Sequence, residues 1–176
     1  MHQSIARVTG EFDIAKQNAS VDNLTSKTVF GGPSIGGVTA ITVANFTGND
    51  KNDIVVAGSR GKVVLFQRAD DSIQHGQIVD FYGGVVIDHN NSYGKLTDVQ
   101  AADLNNDGKM DIVASYNGNI VWYENQMALY KKVGNHHFSS VKKIADNGYQ
   151  TSIVTGDFNK DGRMDIASAS CQGTTG

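Results

Sequence analysis

The amino-acid sequence predicts an all-β protein, and two features of its apolar residues support this. Aliphatic residues occur in short clusters, such as those at residues 54–56 and 63–66, and Gly, Asn, Asp or Ser bound these clusters. This pattern is typical of short strands that are separated by turns. In addition, no window of about 11 to 18 residues keeps the apolar period of about 3.6 residues that marks a helix. We therefore expect many strands and little helix.

Three segments of the chain align with one another, at residues 41–58, 99–116 and 153–171. Each contains a polar loop, followed by Asp-Ile and a run of small apolar residues. The loops begin at Asn45, Asp103 and Asp157, so they are spaced by 58 and then by 54 residues. A repeat of this length holds about four short strands with their turns, which is the content of one β-propeller blade. The sequence thus predicts propeller blades of four antiparallel strands.

The second repeat shows where the strands of a blade are expected. Its Asn117-Gly118 pair predicts a tight hairpin between the second and third strands. In the first repeat, the third strand is expected at residues 62–68, after an Arg-Gly turn. The strands of the second repeat are predicted at residues 99–102, 111–115, 119–124 and 138–145.

The repeats divide the chain into four parts. Residues 37–95 form the first repeat, residues 96–149 the second, and residues 150–176 the inner strands of the third. Residues 1–36 contain two strand-like stretches, near 4–12 and 25–30, which we interpret as the outer strands of an incomplete blade. Because a closed propeller needs about four blades or more, about three repeats predict a partial propeller. We expect the chain to be a segment of a larger ring, or to self-associate through its open blade edges.

Two of the polar loops have the composition of a calcium site. Both read Asp-x-Asn-x-Asp-Gly-x-x-Asp, and Ca2+ takes about six to eight oxygen ligands from a flexible loop. Three carboxylates in one short turn would also repel one another without a cation. The alternative is a plain Asx-turn, and Mg2+ is less suitable because it needs a stricter octahedron. The predicted ligands are the side chains of Asp103, Asn105, Asp107 and Asp111 with the carbonyl of Lys109, and the side chains of Asp157, Asn159, Asp161 and Asp165 with the carbonyl of Arg163.

The loop of the first repeat is a weaker metal-site candidate. Asn45, Thr47 and Asn49 replace its first three ligands, and only Asp53 remains as an aligned carboxylate. Asp50 stands where the other two loops have Gly. This loop either binds Ca2+ weakly or is held by hydrogen bonds of Asn45 and Asn49 alone.

The loops differ from those of an EF-hand, which place Glu at the twelfth position. Ala114 and Ser168 occupy that position here, and strands rather than helices are expected to follow. With the repeat length and the Asp-Ile-Val-Ala-Ser strand, the loops resemble the FG-GAP/VCBS repeat family over residues 37–176. The resemblance implies a β-propeller with Ca2+ bound between the first two strands of a blade. It also implies an extracellular or cell-surface module for adhesion, recognition or structural assembly, with a protein or glycan as ligand.

Composition excludes several classes of function. The net charge of −3 gives no reason to expect nucleic acid as a partner. No apolar run reaches the roughly 20 residues of a membrane span. No catalytic set accompanies His136 and His137, so we expect no enzyme. The single cysteine, Cys171, excludes an internal disulfide.

Two alternatives to a calcium-binding recognition module remain open. The first is a lectin, in which Trp122, Tyr123, Tyr93 and Tyr149 offer aromatic platforms for sugars, although packing of Trp122 between blades is the favoured interpretation. The second, less favoured, is an accessory propeller of a polysaccharide-active enzyme. The N-terminus lacks the apolar core of a signal peptide, but sequons agree with an extracellular glycoprotein, at Asn18, Asn23, Asn45 and Asn90.

Overall fold

A computed structural model describes most of the three repeats and part of the N-terminal region. It covers residues 4–9, 11–17, 24–28, 35–68, 73–74, 77–78, 84–88, 94–116, 118–126, 138–146 and 149–171. All regular elements in these ranges are strands, which confirms the predicted all-β class. In chain order they are β1 (Ser4–Thr9), β2 (Glu11–Gln17), β3 (Leu24–Thr28), β4 (Val38–Ala44), β5 (Asp53–Gly58), β6 (Val63–Phe66), β7 (Ile73–Gln74), β8 (Gln77–Ile78), β9 (Val85–Asp88), β10 (Leu96–Ala102), β11 (Asp111–Tyr116), β12 (Asn119–Tyr123), β13 (Lys142–Asp146), β14 (Tyr149–Gly156) and β15 (Asp165–Cys171).

The strands form the blades that the repeat length predicts. Blade 1 is the antiparallel sheet β4-β5-β6-β9, and blade 2 is the antiparallel sheet β10-β11-β12-β13. Blade 3 contains the pair β14-β15. A short two-stranded sheet, β7-β8, lies in sequence between the third and fourth strands of blade 1. Within the described part of the chain, no helix is long and apolar enough to cross a membrane.

Several strand boundaries differ from those expected. The outer strand of blade 2 covers Lys142–Asp146 rather than residues 138–145, and Phe138 forms only an isolated bridge to Asn125. The N-terminal region has three strands, β1-β2-β3 in one antiparallel sheet, where the sequence indicates two stretches. The interpretation of residues 1–36 as the outer strands of an incomplete blade, and the boundaries between the repeats, stay predictions.

A β-bulge recurs at the same place in the first strand of every blade. The pairing register between the first two strands shifts once, on either side of Thr39, Thr97 and Thr151. The Thr39 hydroxyl donates to the carbonyl of Ala57 (3.2 Å), and the Thr97 hydroxyl makes the equivalent bond to Ser115 (3.3 Å). Bulges bend a strand and re-aim its end. The three blades therefore enter their loops with the same strand geometry.

Apolar side chains stack the blades against one another. One buried cluster joins residues of blade 1, such as Val55 and Leu65, to residues of blade 2, such as Val99 and Ile112. A second joins Val113 and Ile120 of blade 2 to Ile153 of blade 3. Every residue of β5 and β11 is buried. This explains why both strands continue after their first Asp without an apolar–polar alternation, because a strand covered on both faces does not alternate.

A polar contact reinforces the junction between blades 2 and 3. One carboxylate oxygen of Asp98, on β10, accepts hydrogen bonds from the hydroxyl of Ser152 and from the backbone N–H of Ile153, both at 2.8 Å. Its other oxygen accepts the backbone N–H of Val99 at 2.8 Å. Asp98 thus ties the first strands of two consecutive blades together.

Candidate metal centre

In each blade, one loop connects the first two strands, and the three loops have the same backbone shape. We name them loop 1 (residues 45–53), loop 2 (residues 103–111) and loop 3 (residues 157–165). In each loop the fourth and sixth residues have positive φ, a conformation that costs little only for Gly and, to a lesser extent, Asn and Asp. The pairs are Gly48 (71°) and Asp50 (60°), Asn106 (60°) and Gly108 (82°), and Lys160 (62°) and Gly162 (83°). Loop 1 therefore keeps the turn with its Gly moved from the sixth position to the fourth.

The carboxylate of the last Asp in each loop accepts hydrogen bonds from backbone N–H groups. In loop 2, Asp111 accepts the N–H of Leu104 at 3.1 Å and the N–H of Asn125, just beyond β12, at 2.7 Å. In loop 3, Asp165 accepts the N–H of Phe158 at 3.1 Å. This aspartate thus closes the loop on its second residue and, in loop 2, also fixes it to the end of the third strand.

Asp53 performs the same closure in loop 1 with more partners. One oxygen accepts the N–H of Phe46 (3.0 Å) and both the N–H (3.0 Å) and the hydroxyl (2.9 Å) of Thr47. The other accepts the N–H of Arg68 at 2.8 Å. Burial raises the pKa of Asp53 and of Asp111 above the ordinary value, because it disfavours the charged form, and these N–H bonds oppose the rise.

The remaining side-chain oxygens of loop 2 are directed into the turn. Asp103 accepts the N–H of Asp107 at 3.0 Å and that of Gly108 at 2.8 Å. Asn105 also accepts the N–H of Asp107, at 3.1 Å. Asp107 accepts the N–H of Lys109 at 3.0 Å. The first, third and fifth residues of the loop therefore place their oxygens around the same short stretch of backbone.

Loop 3 makes the same bonds to its backbone N–H groups. Asp157 accepts the N–H groups of Asp161 (3.0 Å) and Gly162 (2.9 Å). Asn159 accepts the N–H of Asp161 at 2.8 Å, and Asp161 accepts the N–H of Arg163 at 2.8 Å. Two segments of different sequence thus orient the same set of oxygen-bearing side chains.

Loop 1 holds its turn with neutral side chains. The amide oxygen of Asn45 accepts the N–H groups of Gly48 (2.8 Å) and Asn49 (3.3 Å), and Asn49 accepts the N–H of Lys51 at 3.0 Å. Loop 1 therefore makes turn hydrogen bonds that correspond to those of loops 2 and 3, and both alternatives that its sequence left open stay predictions. Weak metal binding through Asn45, Thr47, Asn49 and Asp53 stays a prediction.

Two charged side chains at loop 2 were not assigned a role from the sequence. The ammonium group of Lys109 contacts Asp107 at 2.8 Å, which lowers the pKa of Asp107 and raises that of Lys109. Glu124, which follows β12, accepts the side-chain N–H of Asn105 at 3.3 Å. A hydrogen bond from Lys142 lowers the pKa of Glu124. Glu124 lies outside the loop pattern in sequence, so only the blade fold brings it to loop 2.

The donor chemistry of loops 2 and 3 fits Ca2+, because every predicted ligand atom is an oxygen of a carboxylate, an amide or a carbonyl. In the described ranges, no three His, Cys, Asp or Glu side chains lie together in a group that could hold a metal ion. The loop carboxylates accept backbone N–H groups instead. The fifth residue of loop 2 and that of loop 3 are exposed, and a Cβ on Gly108 or Gly162 would meet no atom within 4 Å. Ion binding would therefore require the loop carboxylates to exchange N–H partners for the cation.

The structure describes the side chains of only two of the four aromatic residues considered as sugar platforms, Tyr123 and Trp122. Tyr123 is buried, with 1% of its surface exposed, and its hydroxyl lies 2.6 Å from that of Tyr116. It therefore packs inside the protein. Trp122 is half-buried beneath the ammonium group of Lys142, which lies 4.5 Å from the ring centroid. Several residues singled out from the sequence lie outside the described residues or have side chains that are not described. They are Tyr93, Tyr149, His136, His137, Cys171 and the sequon residues Asn18, Asn23 and Asn90.

Comparison with known families gives one result. The FG-GAP-like repeat matches the chain twice, at residues 45–114 and 103–168. Each match begins at the first residue of a loop and ends within the second strand of the next blade. No curated protein matches the chain. Because the two matches cover more than half of the sequence, this chain belongs to the FG-GAP-like repeat family.

Proposed function

We propose that this chain is a calcium-binding β-propeller module of the extracellular space or cell surface, which serves recognition or structural assembly. Ca2+ acts in it as a structural ion of loops 2 and 3, and we assign the module no enzyme activity. The observation that carries the proposal is the shared arrangement of these two loops. Each presents three carboxylates and one amide oxygen on one tight turn between the first two strands of an FG-GAP-like blade.

The proposed ligands are those that the sequence indicates, with the backbone carbonyl of Lys109 or Arg163 added in each loop. When bound, the ion would neutralise the carboxylates and join the two ends of the loop. The chain's own residues set the geometry of the loop: the residues with positive φ form the turn, and the β-bulge in the first strand gives the strand the same geometry where it enters each loop. An extracellular location agrees with this, since Ca2+ is near millimolar there and extracellular modules bind it in about the 10⁻⁴ to 10⁻³ M range.

The partner of the module is proposed to be a protein or a glycan, or further blades. The exposed apolar side chains of blade 3 support the last of these, because Val154 and Phe158 are 52% and 57% exposed. Single exposed apolar residues are ordinary, but at the position of Phe158 the other two loops have Phe46 and Leu104, which pack in or against the core clusters.

Thermal unfolding in Ca2+ and in chelator tests the proposal. Ligand that binds only the native state stabilises by RT ln(1 + [L]/Kd), and each kcal/mol raises the melting temperature by about 2–4 °C at this chain length. We expect a rise of several degrees in millimolar Ca2+ and a smaller one in Mg2+. The double variant D103N/D157N should abolish the rise, and D146N, at an exposed carboxylate outside the loops, should retain it. Identical melting curves in Ca2+ and in chelator would contradict the proposal.

A further inference from the structure

We infer that Glu124 is a positioning residue for the Ca2+ site of loop 2, which acts by fixing the amide group of Asn105. This inference rests on the proposed calcium binding. Glu124 follows the third strand of blade 2 and contacts loop 2 across 19 residues of sequence. It is not itself assigned as a ligand.

Both carboxylate oxygens of Glu124 have partners, so its orientation is defined. One accepts the side-chain N–H of Asn105 at 3.3 Å, and the other accepts the ammonium group of Lys142 at 2.5 Å. Lys142 in turn lies 4.5 Å from the ring centroid of Trp122. A charged hydrogen bond and a cation–π contact therefore connect loop 2 to the third and fourth strands of its own blade.

The chemistry of an amide explains why this contact is useful. Asn carries one acceptor oxygen and one donor NH2 group, and rotation about its last bond exchanges their positions. Only the oxygen can bind a cation. Because the Glu124 carboxylate accepts a hydrogen bond from the NH2 group of Asn105, the amide oxygen of Asn105 faces the turn. There this oxygen accepts the N–H of Asp107 at 3.1 Å. Glu124 thus selects the rotamer of Asn105 that Ca2+ requires.

Loop 3 provides an internal comparison. Its equivalent residue, Asn159, donates its NH2 group to Asp161 at 3.0 Å, within the loop itself. The amide of loop 3 is therefore oriented without a residue from the third strand. A change at Glu124 should affect loop 2 and leave loop 3 unchanged.

Terbium luminescence, excited at a wavelength that tryptophan but not tyrosine absorbs, can measure loop 2 separately, because Trp122 is the only tryptophan in the chain. It lies on β12, paired with Val113 of β11, two residues beyond Asp111. Tb3+ bound in loop 2 should be excited through this indole and displaced by added Ca2+, which gives the Ca2+ affinity of loop 2 in the full chain. Calorimetry gives the total for both loops.

We expect E124A to weaken Ca2+ binding at loop 2 by about tenfold, the lower end of the effect of losing a residue that orients a metal ligand. E124Q keeps an acceptor oxygen for Asn105 and should restore binding to within about twofold of wild type. In an N105D background there is no NH2 group to orient, so E124A should have no further effect. D146A, which removes another lysine-paired carboxylate of the same blade, is the matched control and should bind like wild type.

The outcomes separate this inference from the proposed function. If wild-type chain binds neither Tb3+ nor Ca2+, both are overturned. If it binds but E124A is as tight as wild type, only the role of Glu124 is overturned. If E124Q is as weak as E124A, charge rather than orientation of Asn105 is responsible, and the inference is again wrong. Rescue by E124Q together with loss of the effect in N105D supports it.

Discussion

The side chain of Asn125 donates one hydrogen bond to the carbonyl of Phe46 in blade 1, at 2.8 Å, and a second to the carbonyl of Met110 in blade 2, at 2.9 Å. Its backbone N–H donates to Asp111 at 2.7 Å. Asn125 is 1% exposed. One buried residue therefore joins the second residue of loop 1, the eighth residue of loop 2 and the closing aspartate of loop 2.

Replacing Asn125 by Ala should destabilise the protein. It would leave the carbonyls of Phe46 and Met110 without these donors, and a buried polar group that loses its partner costs about 1–3 kcal/mol. Denaturant unfolding in chelator measures the change in free energy of unfolding. S140A, at an exposed position of the same blade, should change it by no more than about 0.5 kcal/mol. A loss in N125A no larger than in S140A would show that the junction does not depend on this residue.

Local patterns of the sequence were sufficient to predict the blades and loops 2 and 3. The turn residues and the apolar clusters on either side of a loop lie within about 20 residues of one another, and both depend on local backbone preferences. The predicted hairpin between the second and third strands of blade 2 is confirmed, since Tyr116 pairs directly with Asn119. The recurrent bulge also has a local signal, a Thr at the same position of each repeat, which sequence reasoning missed.

The roles of Glu124 and Asn125 could not be predicted in this way. Both residues are near loop 2 only because β12 pairs with β11, and their partners Asn105 and Phe46 lie 19 and 79 residues away in sequence. No local preference encodes such contacts. The closing function of Asp111 is a similar case, because its pattern indicates a metal ligand while the structure shows it holding two backbone N–H groups.

Gly108→Ala and Gly162→Ala should each destabilise the protein by about 1–2 kcal/mol, the cost of a left-handed conformation for a residue with a Cβ. The φ angles are 82° and 83°, and a Cβ would meet no atom within 4 Å, so the cost is conformational and not steric. Gly37→Ala is the matched control, because a Cβ there would meet only the Ser59 hydroxyl, at an ordinary 3.7 Å. Equal unfolding free energies for all three variants would contradict the prediction.

Calcium stoichiometry should distinguish the three loops. We expect two ions per chain by calorimetry, and one ion in each of the single variants D103N and D157N, because each removes one carboxylate ligand from one loop. N45A should still bind two ions, since Asp53 is the only carboxylate of loop 1 at an aligned ligand position. A third ion in the wild-type chain that is lost in N45A would show that loop 1 is also a metal site.

The pH dependence of stability should reveal the buried charge of Asp53. Burial raises its folded-state pKa above 3.8, so the folded protein takes up this proton more readily than the unfolded chain. Stability from this group is therefore highest at low pH and falls as the pH rises from 3.8 through the raised pKa. D53N has no proton to titrate at this position.

Urea unfolding of wild type and D53N in chelator, over a series of pH values, measures this difference, since contributions of distant carboxylates cancel between the two proteins. The stability of wild type relative to D53N should decrease with rising pH within that window and then stay constant. An increase of wild type relative to D53N over the same window would give the opposite sign and would refute a raised pKa at Asp53.

The second residue of loops 1 and 2 packs against the following blade, whereas the second residue of loop 3 is exposed. Phe46 is 2% exposed and its ring contacts Phe138 of blade 2, with centroids 6.5 Å apart. Leu104 packs against the cluster that joins Val113 and Ile120 of blade 2 to Ile153 of blade 3. Phe158, the equivalent residue of loop 3, is 57% exposed.

We therefore predict that the 176-residue chain self-associates through this face of blade 3, because fully burying a Phe side chain contributes about 1.5–3 kcal/mol. Light scattering over a range of protein concentrations should give masses above 18.8 kDa. F158S should shift the equilibrium towards monomer with little change in folding, since the ring is exposed. V43S, at a residue 53% exposed on blade 1, is the matched control and should associate like wild type. A compact monomer of wild-type chain at every concentration would refute the prediction, and equal dissociation of F158S and V43S would place the contact elsewhere.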